Sequence, residues 1–134
     1  MSTAVEKLKG SNQTIGFQAA SADIWDMKYR LKSKHGQIID ETMDDTYRRV
    51  ARALADVEKE EDRDKWYESF HWALRSGAIP AGRIISNAGA QDHKPATSTI
   101  NCTVSGTVVD SMNDILGKVH EAGLTLKAGC GIGY

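Results

Sequence analysis

The sequence has little proline, two cysteines and almost no net charge. No apolar run approaches the roughly 20 residues that a membrane-crossing helix needs. The opening MSTAVEKLKG is polar and lacks the apolar centre of a secretory signal. A net charge of −1 gives no reason to expect nucleic acid or an anionic membrane as a partner. These absences predict a cytoplasmic protein without nucleic-acid or membrane partners.

The cysteines and histidines do not form a metal-binding pattern. Cys102 and Cys130 are far apart in the chain, and the four histidines show no i,i+4 pair. We therefore expect no metal site. A lone cysteine is usually a small buried hydrophobe. A redox role for Cys102 requires a partner thiol with its Cα atom about 4.4–6.8 Å away. Two candidates for this partner thiol remain open, Cys130 and a cysteine from another segment.

Apolar spacing predicts two helices in the first two-thirds of the chain. Residues 1–20 lack periodicity and are predicted to be a flexible leader, and His35 and Gly36 form a turn between two short extended pieces. A helix begins near Thr42, which forms a capping box with Asp45. A second helix spans about Asp62 to Ser76, ends at Gly77 and packs antiparallel to the first. Their predicted buried stripes are Met43, Tyr47, Val50, Ala51, Leu54 and Val57, and Trp66, Phe70, Ala73 and Leu74.

The remaining sequence predicts a loop, a strand and a third helix. Residues 81–97 have the glycine, asparagine and proline content of a long structured loop, and residues 98–104 resemble a strand. Asp110 or Ser111 caps the helix, with Asp114 in its first turn. Its predicted buried stripe consists of Met112, Ile115, Leu116, Val119, Gly123 and Leu126. Gly129, Gly131 and Gly133 then end the helix.

Three features of this last part indicate binding or redox chemistry. Neutral groups beside the Cys102 thiol suit a diphosphate, because they donate hydrogen bonds without needing a countercharge; the alternative is a polar strand edge. These groups belong to Thr97, Ser98, Thr99 and Asn101. Asp110 is either part of a helix cap or an acceptor for ribose hydroxyls. The glycines around Cys130 allow a ligand to approach the backbone, or simply form a turn.

Five blocks, in order, resemble one family. They are WDMKYRLK, DDTYRRVARALADVE, WALRSGAIPAGRIISNAGA, KPATSTINCTVSGT and HEAGLTLKAGCGIGY. Together they resemble the N-terminal part of the adenosylcobalamin-dependent (class II) ribonucleotide reductases that act on nucleoside diphosphates, from about Ser21 to Tyr134. The resemblance implies a mainly α N-terminal region at residues 21–93. It also implies that residues 94–134 are the first strand and helix of the family's ten-stranded α/β barrel.

The resemblance also implies roles for matched residues. Cys102 resembles the first redox cysteine, which forms a disulfide with a cysteine from a later segment. Residues at the proposed diphosphate position are Ser98, Thr99 and Asn101. Asp110, with Ser111, resembles the acidic position that binds the ribose of a nucleoside triphosphate effector. The backbone that approaches the substrate base corresponds to Cys130, Gly131 and Ile132. Cys130 is therefore expected to line the substrate pocket, as a wall residue, and not to be the redox partner.

For the complete enzyme, the resemblance implies removal of the ribose 2′-hydroxyl by thiyl-radical chemistry. It also implies that adenosylcobalamin is bound by other parts of the enzyme and that a thioredoxin-type reductant acts through C-terminal cysteines. The helix from Ser111 resembles the one that packs between the subunits of the family's homodimer. We expect this chain to be inactive alone and to need the remaining C-terminal part, whether it represents a truncation, half of a split enzyme or the segment before an intein. The rival hypothesis is a small helical protein-binding module, built on Thr42–Ser76 and closed by the third helix.

Overall fold

The computed structural model describes residues 16–94 and 98–134. Most of the predicted leader, residues 1–15, lies outside these ranges, as does Thr97, one of the residues with a neutral group predicted to bind a diphosphate. We number the elements in chain order. They are α1 (Ala19–Ile24), continued by a π-helical turn (Trp25–Tyr29); α2 (Met43–Ala55); a 3₁₀ turn (Glu60–Asp62); α3 (Arg63–Arg75); α4 (Gly82–Asn87); β1 (Cys102–Val104); α5 (Met112–Lys127); and β2 (Gly131–Gly133). The prediction of a mainly helical chain is confirmed.

The helix α1 was not predicted, because its apolar residues lack a helical stripe. It has no side-chain N-cap and buries no residue. The following π-helical turn is instead attached to α2, since the Trp25 indole Nε1 donates to Thr46 Oγ1 at 2.9 Å. After this turn the chain reverses at Gly36, whose φ is 81°, and Lys32 pairs antiparallel with Ile38. The predicted turn at His35 and Gly36 is confirmed.

The helix α2 begins with the predicted capping box. Thr42 Oγ1 accepts from the Asp45 amide at 3.2 Å, and Asp45 Oδ2 accepts from the Thr42 amide at 2.8 Å. Each interaction satisfies an amide that a helix start otherwise leaves unpaired. Val50 and Ala51 of this helix are fully buried. Val57 is 83% exposed, so its predicted burial is wrong, because α2 ends at Ala55 and the chain turns away.

The helix α3 packs on α2 and ends as the sequence predicts. Gly77 has φ 98°; its amide donates to Leu74 O at 3.1 Å, and the Ala78 amide donates to Ala73 O at 3.0 Å. This pair of bonds is a Schellman motif, which favours glycine at the left-handed position. The predicted buried stripe is confirmed at Leu74, which is in the core, and at Phe70, which packs against it. It is wrong at Trp66, which is 37% exposed, because Tyr67 packs against the core in its place.

A buried ion pair joins α2 to the segment before it. Arg49 Nη2 lies 2.8 Å from Asp40 Oδ2, and both side chains are almost fully enclosed. The same carboxylate accepts from Thr46 Oγ1 at 2.7 Å and from the Leu31 amide at 3.2 Å. Charged groups removed from water need such partners. The pair therefore fixes the position of the 31–40 hairpin on α2.

The predicted loop at residues 81–97 is partly wrong, because it contains α4. Arg49 holds the end of this short helix by donating to Ala88 O at 2.6 Å and to Ile85 O at 3.1 Å. The next residue, Gly89, has φ 70°, and a Cβ there would lie 3.0 Å from the Arg49 carbonyl oxygen. Glycine is therefore required for this close approach. Contacts from α2, not the local sequence, define α4.

The C-terminal part forms a β1–α5–β2 unit with parallel strands in the register Cys102–Gly131, Thr103–Ile132 and Val104–Gly133. The predicted N-cap is confirmed at Ser111, whose Oγ accepts from the Asp114 amide at 3.2 Å. Predicted burial of the helix stripe is wrong. Exposed fractions are 69% for Met112, 39% for Ile115, 58% for Leu116, 60% for Val119 and 59% for Leu126, and Gly123 is also exposed. The helix buries Ala122, because it rests on β2 through another face.

Two further properties concern the described residues alone. Within residues 16–94 and 98–134, no helix has both the length and the apolar character needed to span a membrane. In the same ranges, no three histidine, cysteine, aspartate or glutamate side chains lie together in a way that could hold a metal ion.

Candidate functional site

The parallel strands place two distant segments of the chain side by side. Cys102 of β1 is in register with Gly131 of β2, and the Gly131 amide donates to the Asn101 carbonyl at 3.0 Å. A Cβ at position 131 would lie 3.1 Å from Cys102 Sγ. The absence of a side chain at Gly131 thus leaves room for the thiol. Cys102 is a free and exposed cysteine.

The predicted diphosphate-binding groups lie immediately before this thiol. Asn101 Nδ2 is 3.6 Å from Cys102 Sγ. The Ser98 hydroxyl accepts from the Ile100 amide at 3.0 Å, which leaves its own hydrogen available for donation. Thr99 and Asn101 are exposed, and Ser98 is half-buried. Asn101 thus places a neutral donor beside the Cys102 thiol, whereas the Ser98 hydroxyl lies 3.7 Å from Cys130 Sγ.

Cys130 has a different environment from Cys102. It is buried, with 6% of its surface exposed. Its Sγ donates to Ile100 O at 3.1 Å and lies 3.7 Å from Ser98 Oγ. Both cysteines are free thiols. Cys130 therefore packs between the turn at Gly129 and residues 98–101, the segment that leads into β1. The half-buried Ile132 lies in β2 opposite Thr103.

The predicted effector residues lie at the other end of α5. Ser111 is the N-cap, and Asp110 precedes it with an exposed side chain. Asp114 contributes a second cap, since its Oδ2 accepts from the Val109 amide at 2.6 Å. The helix has 16 residues, a length of roughly 24 Å at 1.5 Å per residue. The Asp110 and Cys102 groups are thus two separate candidate sites joined by one helix.

Two residues of α4 contact the site and were not predicted. Asn87 Nδ2 donates to Ser98 O at 2.7 Å, and Arg83 Nη1 donates to Ala128 O at 3.2 Å. Both occur in the GRIISNAGA block that carries part of the family resemblance. That block was the available signal, but a side chain's long-range contacts do not show in local spacing.

Lys94, which precedes the candidate site in the chain, has a shifted pKa. Burial, reinforced by the neighbouring Arg49 charge, lowers the pKa of the Lys94 ammonium, and Asp40 opposes the shift. Desolvation disfavours the charged form of a lysine, so the direction follows from its position beside the buried ion pair.

Comparison with known proteins identifies the helical part. Residues 15–93 match the family described as ribonucleotide reductase, all-alpha domain. Because the match covers more than half of the chain, the protein belongs to this family, and it is an N-terminal region of a ribonucleotide reductase. A search of curated proteins found no match.

Family membership has direct consequences. The chain is part of an oxidoreductase of deoxyribonucleotide biosynthesis, and the rest of the reductase is implied as its partner. The matched range ends at residue 93. All of the candidate site residues from Ser98 to Ile132 lie beyond it, so their assignment depends on the geometry described above and on the resemblance of the sequence blocks.

Proposed function

We propose that this chain supplies part of the substrate site and part of the specificity-effector site of a cytoplasmic, adenosylcobalamin-dependent (class II) ribonucleoside-diphosphate reductase. Family membership supports the reductase. The class and the diphosphate substrate are supported by the ordered sequence blocks. In this proposal residues 94–134 begin the catalytic α/β barrel, and the rest of the barrel comes from the remaining part of the reductase.

The observation that carries the proposal is the parallel register of β1 and β2. It brings Cys102 against Gly131, with Asn101 beside the Cys102 thiol, Cys130 in contact with Ser98 and Ile100, and Ile132 next in β2. Active sites need a reactive group, binding donors and room for a substrate at one place. Here a reachable thiol, neutral donors and a glycine strand come from two segments that the sequence separates by a helix.

The proposed reaction replaces the ribose 2′-hydroxyl by hydrogen. The hydroxyl leaves as water, and two thiols are oxidised to one disulfide, which balances the two electrons and two hydrogens required. Cys102 is the first thiol, and the second comes from the remaining part of the reductase. Ser98, Thr99 and Asn101 donate hydrogen bonds to the diphosphate. Gly131 and Ile132 border the base, with Cys130 as a wall residue.

Adenosylcobalamin supplies radical generation when it is bound to the complete enzyme. The described residues of this chain do not fit it. The Cys102 surface is open, with Thr99 and Asn101 exposed. A cavity of about 520 Å³ lies in the helical region between residues such as Trp25, Tyr47 and Leu74, and includes none of the candidate site residues. The cofactor is therefore assigned to the other parts of the reductase.

In this proposal, α5 and the residues at its start provide the contacts with the effector and with a second subunit. Asp110, with Ser111, accepts ribose hydroxyls of a deoxynucleoside triphosphate. The exposed apolar face of α5, including Leu116 and Val119, is consistent with packing between subunits of a homodimer. A thioredoxin-type protein restores the dithiol through cysteines that this chain does not carry.

Reconstitution tests the proposal. The purified chain with adenosylcobalamin, dithiothreitol and labelled CDP is expected to yield no deoxynucleotide. Addition of the C-terminal remainder of a class II diphosphate reductase as a second polypeptide is expected to give dCDP. Cys102→Ser should abolish that turnover, whereas Cys130→Ser, which changes a wall residue, should retain part of it.

Two results would argue against the proposal. Undiminished turnover with Cys102→Ser would remove the redox assignment. A chain that binds neither CDP nor a deoxynucleoside triphosphate, but captures a protein partner unrelated to reductases, would favour the helical binding module instead.

A further inference from the structure

We infer that Asn87 and Arg83, two residues of α4 that contact no substrate in the proposed site, are positioning residues that hold its two segments together. The inference builds on the proposed function, because it concerns the same Ser98–Asn101 and Cys130–Ile132 segments. Arg83 and Asn87 lie four positions apart in α4, so their side chains leave the same face of the helix. One reaches the first segment and the other reaches the second.

Asn87 fixes the first segment. It is buried, with 8% of its surface exposed, and its Nδ2 donates to the Ser98 carbonyl at 2.7 Å. The helix end that carries it is itself fixed, because Arg49 donates to the adjacent Ala88 carbonyl at 2.6 Å. Arg49 is in turn paired with Asp40. A continuous series of short polar contacts therefore connects Ser98 to the core of the helical region.

Arg83 fixes the second segment. Its Nη1 donates to the carbonyl of Ala128 at 3.2 Å, at the end of α5. Gly129 follows with φ 78°, and a Cβ there would overlap the Arg83 guanidinium. Glycine is favoured here by the left-handed turn, and a Cβ at this position would displace the Arg83 guanidinium from its contact. Arg83 therefore links α4 to the end of α5, just before β2.

Cys130 reports whether both segments are in place. Its thiol lies between them, donating to Ile100 O at 3.1 Å, so movement of residues 98–100 away from the turn at Gly129 should expose it. Cys102 is already exposed with that contact in place. The ratio of the two thiol reactivities consequently measures the separation of the segments, with Cys102 as an internal reference.

Alkylation of the full chain by iodoacetamide, quantified at each cysteine by mass spectrometry, tests the inference. For Asn87→Ala, we expect the Cys130 rate to rise about tenfold relative to Cys102, because loss of this partly buried hydrogen bond favours local opening. Asn113→Ala, at an exposed asparagine of α5, is the matched control and should leave the ratio unchanged. An unchanged ratio in Asn87→Ala, with the helical circular dichroism intact, would overturn the role of Asn87.

Further variants separate positioning from general destabilisation. Asn87→Asp keeps the side-chain size but removes the Nδ2 donor, so it should behave like Asn87→Ala. Arg83→Met should also raise the Cys130 rate, and Arg83→Lys, which retains a donor, should restore part of the protection. If Asn87→Ala does not fold, the Arg83 pair decides: equal ratios in Arg83→Met and wild type would contradict the inference.

Binding of CDP separates this inference from the proposed function. If wild type binds CDP, the positioning variants should weaken binding, and Asn113→Ala should not. A wild-type chain that binds no CDP, but whose Cys130 ratio responds to Asn87→Ala, would count against the substrate site while supporting the positioning role. If wild type binds CDP but the variants change neither the Cys130 ratio nor the affinity for CDP, the result would support the substrate site and contradict the positioning role.

Discussion

The helical region, residues 16–94, buries the central residues of its apolar stripes, whereas the β1–α5–β2 unit leaves most of its own exposed. In the first region the buried hydrophobic residues include Leu31, Val50, Ala51 and Leu74. In the described residues of the second, they are Ala122 and Cys130. Hydrophobic burial is the main favourable contribution to folding. The contrast indicates that the helical region contains its own stabilising core, while the second region buries little apolar surface within the described residues.

Polar contacts follow the same division. The Asp40–Arg49 pair is enclosed, with exposed side-chain fractions of 3% and 10%, whereas Lys118 and Glu121 of α5 are paired at 3.2 Å with the glutamate 58% exposed. Exposed pairs contribute little, but an enclosed pair becomes costly when one partner is lost. Matched substitutions in the two regions therefore test the comparison directly.

The largest effect is expected from a charge placed at each of two valines. Val50→Asp would bury an unpaired carboxylate at a position that is 1% exposed, and should lower the free energy of unfolding by more than about 4 kcal/mol, a large part of the total stability of an ordinary domain. Val119→Asp, at a position 60% exposed, should change the free energy of unfolding by less than about 0.5 kcal/mol. Urea denaturation followed by circular dichroism measures both.

Equal losses of unfolding free energy in the two valine variants would contradict the difference between the two regions. They would mean that the isolated chain already buries the apolar face of α5. A dimer of the isolated chain is one such arrangement. Sedimentation of wild type and Val119→Asp at several concentrations would detect it.

The next effect concerns two adjacent arginines of α2. Arg49→Met leaves the Asp40 carboxylate buried without its cation and should lower the free energy of unfolding by about 3–5 kcal/mol. Arg48→Met removes a partner of Asp44 that is 58% exposed and should cost less than about 1 kcal/mol. Denaturant titration at neutral pH distinguishes them. A similar small loss for both would show that the enclosed pair contributes no more than a surface pair.

Local signals predicted those parts of the fold that local contacts define. The Thr42–Asp45 capping box, the Gly77 helix end and the Ser111 cap each depend on residues within a few positions, so the sequence pattern was sufficient. The helix α4 was missed because Arg49, more than thirty positions away, supplies the contacts at its end. Likewise, α1 is attached through Trp25 to Thr46.

Periodicity had a different limit. The spacing of Met112, Leu116 and Val119 correctly marks one apolar face of a helix, but spacing cannot show what covers that face. For the candidate site, the residue types around Cys102 were visible in the sequence. The register that sets Cys102 against Gly131 is a contact between strands far apart in the chain, so no local pattern specifies it.

A moderate effect is expected from removing each of the two helix caps. Thr42→Ala should lower the free energy of unfolding by about 1 kcal/mol, because it removes the oxygen that accepts from the Asp45 amide. Ser111→Ala removes the same kind of bond from α5. Since α5 contributes little to the buried core, its loss should accelerate amide exchange in α5 about fivefold without shifting the main unfolding transition. A shift of that transition as large as that of Thr42→Ala would show that the two regions unfold as one.

The smallest effect is a difference in acid sensitivity within the α2 cap. The hydroxyl of Thr42, together with the Thr42 amide, lowers the pKa of Asp45 below its ordinary value of 3.8. A carboxyl group whose pKa is lower in the folded chain stabilises the fold above its unfolded pKa, and this contribution disappears as the pH falls through the lower, folded value. Stability should therefore decline below about pH 4 in wild type and decline less steeply in Thr42→Ala, where Asp45 titrates closer to its unfolded value.

Asp45→Asn should reduce the same acid-dependent slope, while Asp56→Asn, at the exposed end of α2, provides a control for loss of a carboxylate. Urea midpoints measured from about pH 5 to pH 2 give the slopes. Asp26, whose pKa is lowered chiefly by its hydrogen bond with Arg30, remains in every variant and should leave a common residual slope. If Thr42→Ala retained the full wild-type slope, acid sensitivity would originate elsewhere, and the cap would stabilise the helical region by a mechanism independent of the Asp45 charge.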